Sequence, residues 1–360
     1  MSEKVLMKGN DAISEAAIRA GCGAYFGYPI TPQNEIPAYM AKHMLERGRI
    51  FIQAESEIAA IIMVYGASCA GVRAMTSSSS PGISLKQEGM SYAAGADVPL
   101  VLVNVQRGGP GLGNIAPAQS DYFQSTRGGG HGDYKCIVLA PKSVQEAADL
   151  TYLAFDLADK YRMPVIIHAD GMIGQMMEAC VLPPEKEAPK RGWTVGHEAS
   201  QGGGTSRSGK EAVHITSIDL VPESLEAKNK ERFKRYEIIK KAEIRFEETN
   251  CEGASLVMVA YGTCARVCLG AQKMAQKEGI KLGIFRPISL WPFPYDELGK
   301  AAADGKPLLT VEMSEGQLVE DVKLSAYYAE SKSKVHLLGR SGGMIPTEEE
   351  VFAKVKEILK

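Results

Sequence analysis

The sequence predicts a protein of two α/β domains, the first of them built around a parallel sheet. Over residues 1–183, short apolar runs alternate with amphipathic stretches, a pattern typical of parallel strands covered by helices. The same alternation resumes at 253 and continues to 360, after a stretch of different composition. We therefore expect a larger amino-terminal domain, a connecting segment and a smaller carboxyl-terminal domain.

Strands and helices are expected to alternate along the first domain. The run 98–105 is apolar almost throughout, as expected of a strand that is covered on both faces. The predicted strands are 23–28, 50–54, 72–76, 98–105, 135–140 and 164–168, and the predicted helices are 10–21, 34–47, 57–70, 83–95 and 143–160.

The segment 184–252 is predicted to be a linker or excursion without a core of its own, with contact to a partner as one use for it. It opens with prolines, continues through the glycine-rich stretch 202–209 and ends in a charged helix over 224–248. The basic residues between Lys228 and Lys241 alternate with glutamates, which is typical of a solvated helix face.

The smaller domain, 253–360, repeats the α/β pattern. Cys264 and Cys268 lie about one helical turn apart, and nothing nearby completes a metal-binding set, so we interpret them as packing residues. The predicted strands are 255–260, 281–285, 307–312 and 334–338, and the predicted helices are 263–278, 316–330 and 347–359.

The composition is that of an ordinary globular protein. Of the 360 residues 45% are hydrophobic and 23% charged, and the formal net charge of -2 shows no bias toward nucleic acid or anionic membranes. No apolar run reaches the ~18 residues that span a bilayer. The seven cysteines are scattered, as in a reducing compartment. We expect a cytoplasmic protein without a nucleic-acid or membrane partner, and without a metal site on this chain.

Glu57 is the strongest candidate for a catalytic residue. It lies where the predicted strand 50–54 meets a helix, at the carboxyl end of a strand, where open α/β sheets bind ligands. The following helix is apolar nearly all round, and a carboxylate against such walls is suited to sharing a proton with a bound base. A carboxylate that only stabilises the helix dipole is the competing interpretation. Glu55, two residues earlier, is a rival candidate.

Three further stretches follow strands of the same predicted sheet. In Gly27–Pro32 two prolines stiffen a turn that presents the Thr31 hydroxyl, although a capping threonine would look the same. Met75–Gly82 is a hydroxyl-rich turn. Arg107 follows the strand 98–105 beside flexible glycines, where its guanidinium can clamp a carboxylate bidentately.

In this order, Thr31, Glu57, the 75–82 turn and Arg107 resemble the pyrimidine-binding domain of the 2-oxoacid:ferredoxin oxidoreductases, which use thiamine diphosphate. A glycine nine residues after the glutamate resembles thiamine enzymes more widely and selects Glu57 over Glu55. The turn resembles the family's Ser-Gly-Pro-Gly segment, with Ser80 in place of the first glycine. Segments at 255–263, 286–294 and 311–317 are similar to the transketolase carboxyl-terminal domain of the family's alpha chains.

The resemblance implies a fold and a set of roles. The fold is a parallel-sheet pyrimidine-binding domain plus a smaller transketolase carboxyl-terminal-like α/β domain. Glu57 would be catalytic and would hydrogen-bond the ring nitrogen N1′ of the cofactor's aminopyrimidine. Thr31 and Arg107 would hold the substrate's carboxylate and carbonyl oxygen. Further cofactor-binding residues would be Ser79, Ser80 and Gly82.

The implied reaction is the coenzyme-A-dependent oxidative decarboxylation of a 2-oxoacid to acyl-CoA, carbon dioxide and reduced ferredoxin. This sequence lacks the Gly-Asp-Gly…Asn segment that holds Mg²⁺ and the diphosphate in thiamine enzymes, and it lacks a Cys-x-x-Cys set. The resemblance therefore implies that Mg²⁺ and an iron–sulfur cluster lie on partner subunits. A beta subunit would share the cofactor, and a gamma subunit and a small ferredoxin-like subunit would complete the complex. Alone, the chain should be inactive.

Alternatives remain open for the 2-oxoacid that the protein acts on and for the class of reaction. The length and the motifs are most similar to branched-chain members that act on acids such as 2-oxoisovalerate, while 2-oxoglutarate and pyruvate enzymes share the same skeleton. Ile30, 109–114 and 120–123 are candidates for the side-chain pocket. A non-oxidative decarboxylase or carboligase component is one rival class, and a non-catalytic assembly scaffold is another. His131 is interpreted as a structural or substrate-adjacent loop residue.

Overall fold

The computed structural model of the protein describes residues 4–194 and 214–360. The strands are Lys4–Lys8 (β1), Ala24–Gly27 (β2), Ile50–Gln53 (β3), Ala74–Ser78 (β4), Leu100–Gln106 (β5), Ile137–Leu139 (β6), Pro164–Asp170 (β7), Met177–Val181 (β8), Phe246–Thr249 (β9), Leu256–Val259 (β10), Leu282–Pro287 (β11), Ser289–Trp291 (β12), Leu308–Glu312 (β13) and Val335–Gly339 (β14). The helices are Gly9–Arg19 (α1), Glu35–Glu46 (α2), Glu57–Cys69 (α3), Ser80–Gly95 (α4), Tyr122–Arg127 (α5), Val144–Tyr161 (α6), Gly171–Gln175 (α7), Pro222–Ala242 (α8), Gly262–Lys277 (α9), Tyr295–Ala301 (α10), Leu318–Tyr328 (α11) and Glu348–Ile358 (α12).

The larger sheet has seven strands in the order β12-β6-β7-β5-β4-β2-β3. Every neighbouring pair is parallel except β12 and β6, so the predicted parallel sheet is confirmed. β5 and β7 are buried along their whole length at the centre, as their apolar sequences predict. Because parallel strands end at the same edge, the segments after β2, β4 and β5 meet there.

Several short strands and helices were not predicted from the sequence. β1 and β8 form a two-stranded antiparallel ribbon in which only two of the ten residues are buried, so their sequences show no regular apolar pattern. Three helices of five to seven residues, α5, α7 and α10, are too short to show a helical period. The helix predicted to begin at residue 83 begins at Ser80, because Pro81 fits the first turn of a helix.

The smaller sheet has the order β14-β13-β10-β11-β9, with β9 antiparallel to its neighbour. The helix predicted over 224–248 is wrong at its carboxyl end, since it ends at Ala242 and residues 246–249 form β9. Pairing with β11 and the stacking of Phe246 on Phe285, with ring centroids 5.3 Å apart, outweigh the local helical pattern. The glycine-rich stretch 202–209 lies outside the described residues, and the boundaries at 183 and 253 remain predictions.

The two sheets are joined through packing and polar contacts. From α8, Tyr236 and Ile239 enter the core of the larger sheet, where the Tyr236 ring meets Trp291 edge-on. At the interface between the units, the buried Asp170 carboxylate accepts hydrogen bonds from the Thr263 hydroxyl at 2.6 Å and its amide at 2.9 Å. These contacts fix the smaller unit over the carboxyl edge of the larger sheet. Cys264 and Cys268 are buried packing residues, as predicted.

None of the helices in the described part of the chain is both long and apolar enough to cross a membrane. Most residues of α8 are exposed, so the solvated face predicted between Lys228 and Lys241 is confirmed.

Candidate active site

Glu57 is the first residue of α3. The Ser56 hydroxyl caps this helix by accepting a hydrogen bond from the Ala59 amide at 3.2 Å. The Glu57 side chain is only 6% exposed, whereas Glu55 is exposed to solvent. Among the described residues, the Glu57 carboxylate has no hydrogen-bond donor and no ion-pair partner. A buried carboxylate without a partner is costly, so this group is available to a ligand.

Gly82, in the first turn of α4, lies directly against Glu57. A Cβ atom at this position would come within 2.6 Å of Glu57 Oε1 and 2.1 Å of Ser78 Oγ, so only glycine fits. The hydroxyls of Ser78 and Ser79 are buried and have no hydrogen-bond partner in the described part of the chain. The predicted turn therefore places unpartnered polar atoms around a carboxylate that also lacks partners.

Lys86 lies one helical turn after Gly82 and is completely buried. Its Nζ donates hydrogen bonds to the Glu57 carbonyl oxygen at 3.3 Å and to Thr76 Oγ1 at 3.1 Å. Burial lowers the pKa of Lys86 to about 7, and the Glu57 carboxylate acts in the opposite direction. Our sequence reasoning missed this residue. The spacing of four from Gly82, on a helix that begins at the candidate site, was the available signal.

Arg107 follows β5 and is 7% exposed. Its guanidinium donates to two backbone carbonyls, Thr31 O at 2.9 Å and Leu112 O at 3.0 Å. Its Nε is buried without a partner, and no carboxylate of the described residues forms an ion pair with it. The guanidinium is therefore held rigidly while its charge stays uncompensated, as a site for an anion requires.

Ser80 links Arg107 to Asp121, an acidic residue within the predicted pocket segment 120–123. The Ser80 hydroxyl accepts from the Arg107 amide at 3.1 Å and donates to Asp121 Oδ2 at 2.7 Å. Asn104 Nδ2 donates to the same oxygen at 2.8 Å. Burial raises the pKa of the Asp121 carboxyl, and these two hydrogen bonds oppose the rise. The Ser80 side chain thus positions the Arg107 backbone.

Thr31 is half-buried, and its hydroxyl accepts a hydrogen bond from Asn34 Nδ2 at 3.2 Å. The Thr31–Pro32 peptide bond is cis. The carbonyl oxygen of Thr31, and not its hydroxyl, contacts Arg107. The structure thus brings Thr31 and Arg107 together at the edge of the sheet, with the Thr31 hydroxyl at the surface of the turn.

A cavity of about 410 Å³ lies between the two units at this edge. The Arg107 loop, the first turn of α4 and the residues before α5 form one wall. The other wall comes from the segments that follow β13 and β14. Sequence reasoning recognised the segment after β13 as a motif at 311–317 without assigning it to the site, and it found no motif after β14. The wall from the larger unit comprises Ser80, Pro81, Ser84, Arg107, Gly109, Pro110, Gly111, Ser120 and Asp121, and the wall from the smaller unit comprises Met313, Ser314, Glu315, Gln317, Ser341 and Gly342.

His131 lies elsewhere. It lines a separate cavity of about 500 Å³ between α4, the loop that follows α5, and α8. Of the residues predicted to shape the side-chain pocket, 109–111, Ser120 and Asp121 line the cavity at Arg107, whereas Ile30, 112–114 and 122–123 do not.

Two family models match this chain. The model described as "Pyruvate flavodoxin/ferredoxin oxidoreductase, thiamine diP-bdg" matches residues 15–235, and "Pyruvate:ferredoxin oxidoreductase core domain II" matches residues 254–351. The first of these models, together with the fold, defines a thiamine-diphosphate-binding α/β domain, which a second α/β unit follows. The chain belongs to the 2-oxoacid:ferredoxin oxidoreductase family, whose members are subunits of multi-subunit enzymes.

Individual relatives agree with this assignment. The chain is 47% identical to the ketoisovalerate oxidoreductase subunit VorB of Methanothermobacter marburgensis, over 98% of this chain and 97% of the relative. It is 36% identical to the 2-oxoglutarate synthase subunit KorA of Methanothermobacter thermautotrophicus, over 98% of each chain.

Among solved structures, 2-oxoglutarate:ferredoxin oxidoreductase from Magnetococcus marinus, with 2-oxoglutarate, coenzyme A and succinyl-CoA bound, superposes with a TM-score of 0.85 at 29% identity. All of this chain is covered, and it spans 66% of that chain. A split-gene transketolase superposes with a TM-score of 0.60 at 15% identity over 98% of each chain, a likeness of fold alone.

Proposed function

We propose that this chain supplies the pyrimidine-activating half of a thiamine-diphosphate-dependent 2-oxoacid:ferredoxin oxidoreductase that favours a branched-chain 2-oxoacid such as 2-oxoisovalerate. One observation carries the proposal. In the described part of the chain, Glu57 is a buried carboxylate that accepts no hydrogen bond and Arg107 is a buried guanidinium that pairs with no carboxylate. They follow two strands of one sheet, and α4 joins them. A cofactor base and a substrate anion are the ligands that these two groups would take.

The residues around Glu57 fit an aminopyrimidine. Gly82 leaves space beside the carboxylate, and the unpartnered hydroxyls of Ser78 and Ser79 offer hydrogen bonds there. Glu57 would hold a proton between its carboxyl group and the ring nitrogen N1′, with Ser79, Ser80 and Gly82 shaping the site. Thiamine diphosphate, when bound, supplies the nucleophilic carbon that attacks a 2-oxoacid and receives the electrons left by decarboxylation.

Arg107 would bind the substrate carboxylate. Its guanidinium is fixed by two backbone carbonyls, so little rotamer freedom is lost when a carboxylate pairs with it. Thr31 would contact the same substrate from the neighbouring turn. The overall reaction converts the 2-oxoacid and coenzyme A to acyl-CoA and carbon dioxide, and two electrons pass to ferredoxin.

The charges around the cavity support a monocarboxylic substrate. Among the described residues that line it, Arg107 is the one cation, and Asp121 and Glu315 are both acidic. Among the described residues that line the cavity, the second carboxylate of 2-oxoglutarate would therefore find no positive partner and would meet like charge. The 47% identity to a subunit named for ketoisovalerate points in the same direction.

An exposed apolar patch supports a partner subunit at the cofactor. Ile58, Ile62 and Leu85 are 44–51% exposed and lie on α3 and α4, the two helices that carry Glu57 and Gly82. We propose that a beta subunit docks here and brings Mg²⁺, the site for the diphosphate and an iron–sulfur cluster. A gamma subunit and a small ferredoxin-like subunit would complete the complex, which would transfer electrons to ferredoxin in the cytoplasm.

The test is anaerobic reduction of ferredoxin or viologen by the chain co-expressed with its partner subunits. We expect reduction that requires thiamine diphosphate, coenzyme A and this chain, with 2-oxoisovalerate as the fastest of a panel of acids. A 2-oxoglutarate rate more than about ten times higher at equal concentration, equivalent to ~1.4 kcal/mol of transition-state preference, would overturn the substrate preference. Acid-dependent carbon dioxide release without reduction would favour the non-oxidative class, and an intact complex without any turnover would favour the scaffold.

A further inference from the structure

Six cationic side chains are buried in the described ranges 4–194 and 214–360, and their partners divide them into two groups. Four of them pair with carboxylates at 2.5–3.3 Å, namely Arg73, Arg191, Arg232 and Arg286. Lys86 and Arg107 form no ion pair within those ranges, and both adjoin the candidate site. Since a buried charge without a partner destabilises the fold, each of these two is expected to serve a function. Arg107 has a function in the proposed reaction, whereas that reaction assigns no function to Lys86.

The backbone of α4 directs Lys86 at Glu57. Gly82 and Lys86 are four residues apart and therefore share one face of the helix. At the first position the missing side chain leaves room for the Glu57 carboxyl group, and at the second the Nζ contacts the Glu57 carbonyl at 3.3 Å. Thr76 on β4 holds the same Nζ at 3.1 Å. One helix face thus presents Glu57 with a gap on one side and a cation on the other.

Within the described ranges, the charged group that acts on Lys86 is Glu57. Two influences act on the pKa of Lys86: burial lowers it to about 7, and the Glu57 carboxylate raises it. From β4, Thr76 and Ser78 face the pair with neutral hydroxyls. Lys86 is therefore a cation placed to balance a Glu57 carboxylate in this pocket.

We propose that Lys86 is a positioning residue whose ammonium group is the built-in counter-charge of Glu57, and that it sets the pH at which Glu57 shares a proton with the cofactor base. The inference rests on the proposed role of Glu57. A hydrogen bond between a carboxyl group and a ring nitrogen requires one proton between them. A neighbouring ammonium favours the ionised carboxylate and lowers the pH above which this proton is lost.

The test measures the affinity of thiamine diphosphate for the assembled complex by calorimetric titration between pH 5.5 and 9, a range chosen to bracket the Lys86 pKa of about 7. In Lys86→Met, which keeps the length of the side chain without its charge, we expect the midpoint of the pH dependence to move upward by about one unit. Lys86→Arg, which keeps the charge, should stay near the original midpoint. Lys86→Gln repeats the neutral test if Lys86→Met does not assemble.

Two controls separate this inference from the proposed function. Lys277→Met makes the same substitution at an exposed lysine on α9 and should leave the midpoint unchanged. In a Glu57→Gln background, Lys86→Met should cause no shift, because the carboxyl group through which it acts is gone. An unshifted midpoint in Lys86→Met alone would overturn the role of Lys86. If Glu57→Gln itself left the affinity and its pH dependence intact, the proposed role of Glu57 would fail first.

Discussion

Two buried glutamates of this protein occupy similar places and differ in their partners. Glu312 ends β13, and its carboxylate accepts hydrogen bonds from the backbone amides of Gln317, Leu318 and Val319 at 2.9–3.1 Å. Glu57 begins α3, is almost as well buried, and has no such donor in the described part of the chain. Burial alone therefore does not mark a functional carboxylate. Glu312, whose carboxylate accepts several hydrogen bonds, stabilises the fold. Glu57, whose carboxylate accepts none in the described part of the chain, is available for chemistry.

The largest expected effect comes from Glu57→Gln. The amide cannot share a proton with a base as the carboxyl group does, so we expect kcat of the assembled complex to fall by about 10²- to 10⁴-fold. The thermal midpoint should change little, because the carboxylate accepts no hydrogen bond within the described ranges and Lys86, whose pKa burial lowers to about 7, can release its proton when the opposing charge is removed. Viologen reduction and a melting curve on the same preparation measure both quantities. Full activity would support the scaffold interpretation.

Arg107→Gln should have the next largest effect on activity. Loss of the guanidinium removes the one cation among the described residues that line the cavity, and we expect kcat/KM for 2-oxoisovalerate to fall by about 100-fold, or ~2.7 kcal/mol. Arg107→Lys should recover only part of the loss, since an ammonium cannot form the two-pronged contact. Equal kinetics in Arg107→Gln and the unchanged chain would show that the substrate carboxylate binds elsewhere.

Glu312→Gln should act on stability. A neutral amide offers the three backbone donors a weaker acceptor, so we expect the free energy of unfolding to fall by about 1–3 kcal/mol. Denaturant titration of the complex measures the change. A Glu312 variant as stable as the unchanged chain would remove the structural half of the comparison between the two glutamates.

Gly82→Ala tests the fit around Glu57. The added methyl group collides with Glu57 and Ser78, and we expect it to destabilise the chain by about 1–3 kcal/mol and to weaken cofactor binding. Gly66→Ala is the matched control, because it also lies in a helix and a Cβ there meets nothing within 4 Å. That variant should be stabilised by up to ~1 kcal/mol. The idea of a close approach at Gly82 is wrong if both variants behave alike.

His168 limits this rule, because its buried Nε2 has no hydrogen-bond partner in the described part of the chain although the residue lies outside the candidate site. Burial lowers its pKa to about 3, below the unfolded value of 6.5. The unfolded chain therefore binds more protons between these values, and stability should be lost as pH falls from about 6.5 toward 3. In His168→Gln the acid slope of the unfolding free energy should be shallower. An identical slope would mean that other groups control acid unfolding.

Sequence reasoning reached the parallel sheet and the strand ends because long apolar runs such as 98–105 carry a strong signal. It placed Thr31, Glu57, Gly82 and Arg107 at one edge because parallel strands end together. β9 and β12 were missed because their pairing depends on contacts distant in the chain.

Two side-chain contacts of the site could not be predicted from the sequence, because they depend on how elements pack against each other. The pairing of Lys86 with the Glu57 carbonyl depends on how α4 packs on α3, and the link from Ser80 to Asp121 joins residues 41 positions apart. Likewise, the cavity wall from the segments after β13 and β14 depends on how the two units meet.

The most direct test of the account compares cofactor affinity in Glu57→Gln and Glu312→Gln, measured side by side by titrating thiamine diphosphate into the assembled complex. We expect the affinity to fall at least tenfold in Glu57→Gln while its melting temperature is retained. Glu312→Gln should instead lose stability and, at a temperature where it remains folded, bind the cofactor with an affinity closer to that of the unchanged chain. Unaltered affinity in Glu57→Gln would contradict the claim that the unpartnered glutamate serves the cofactor.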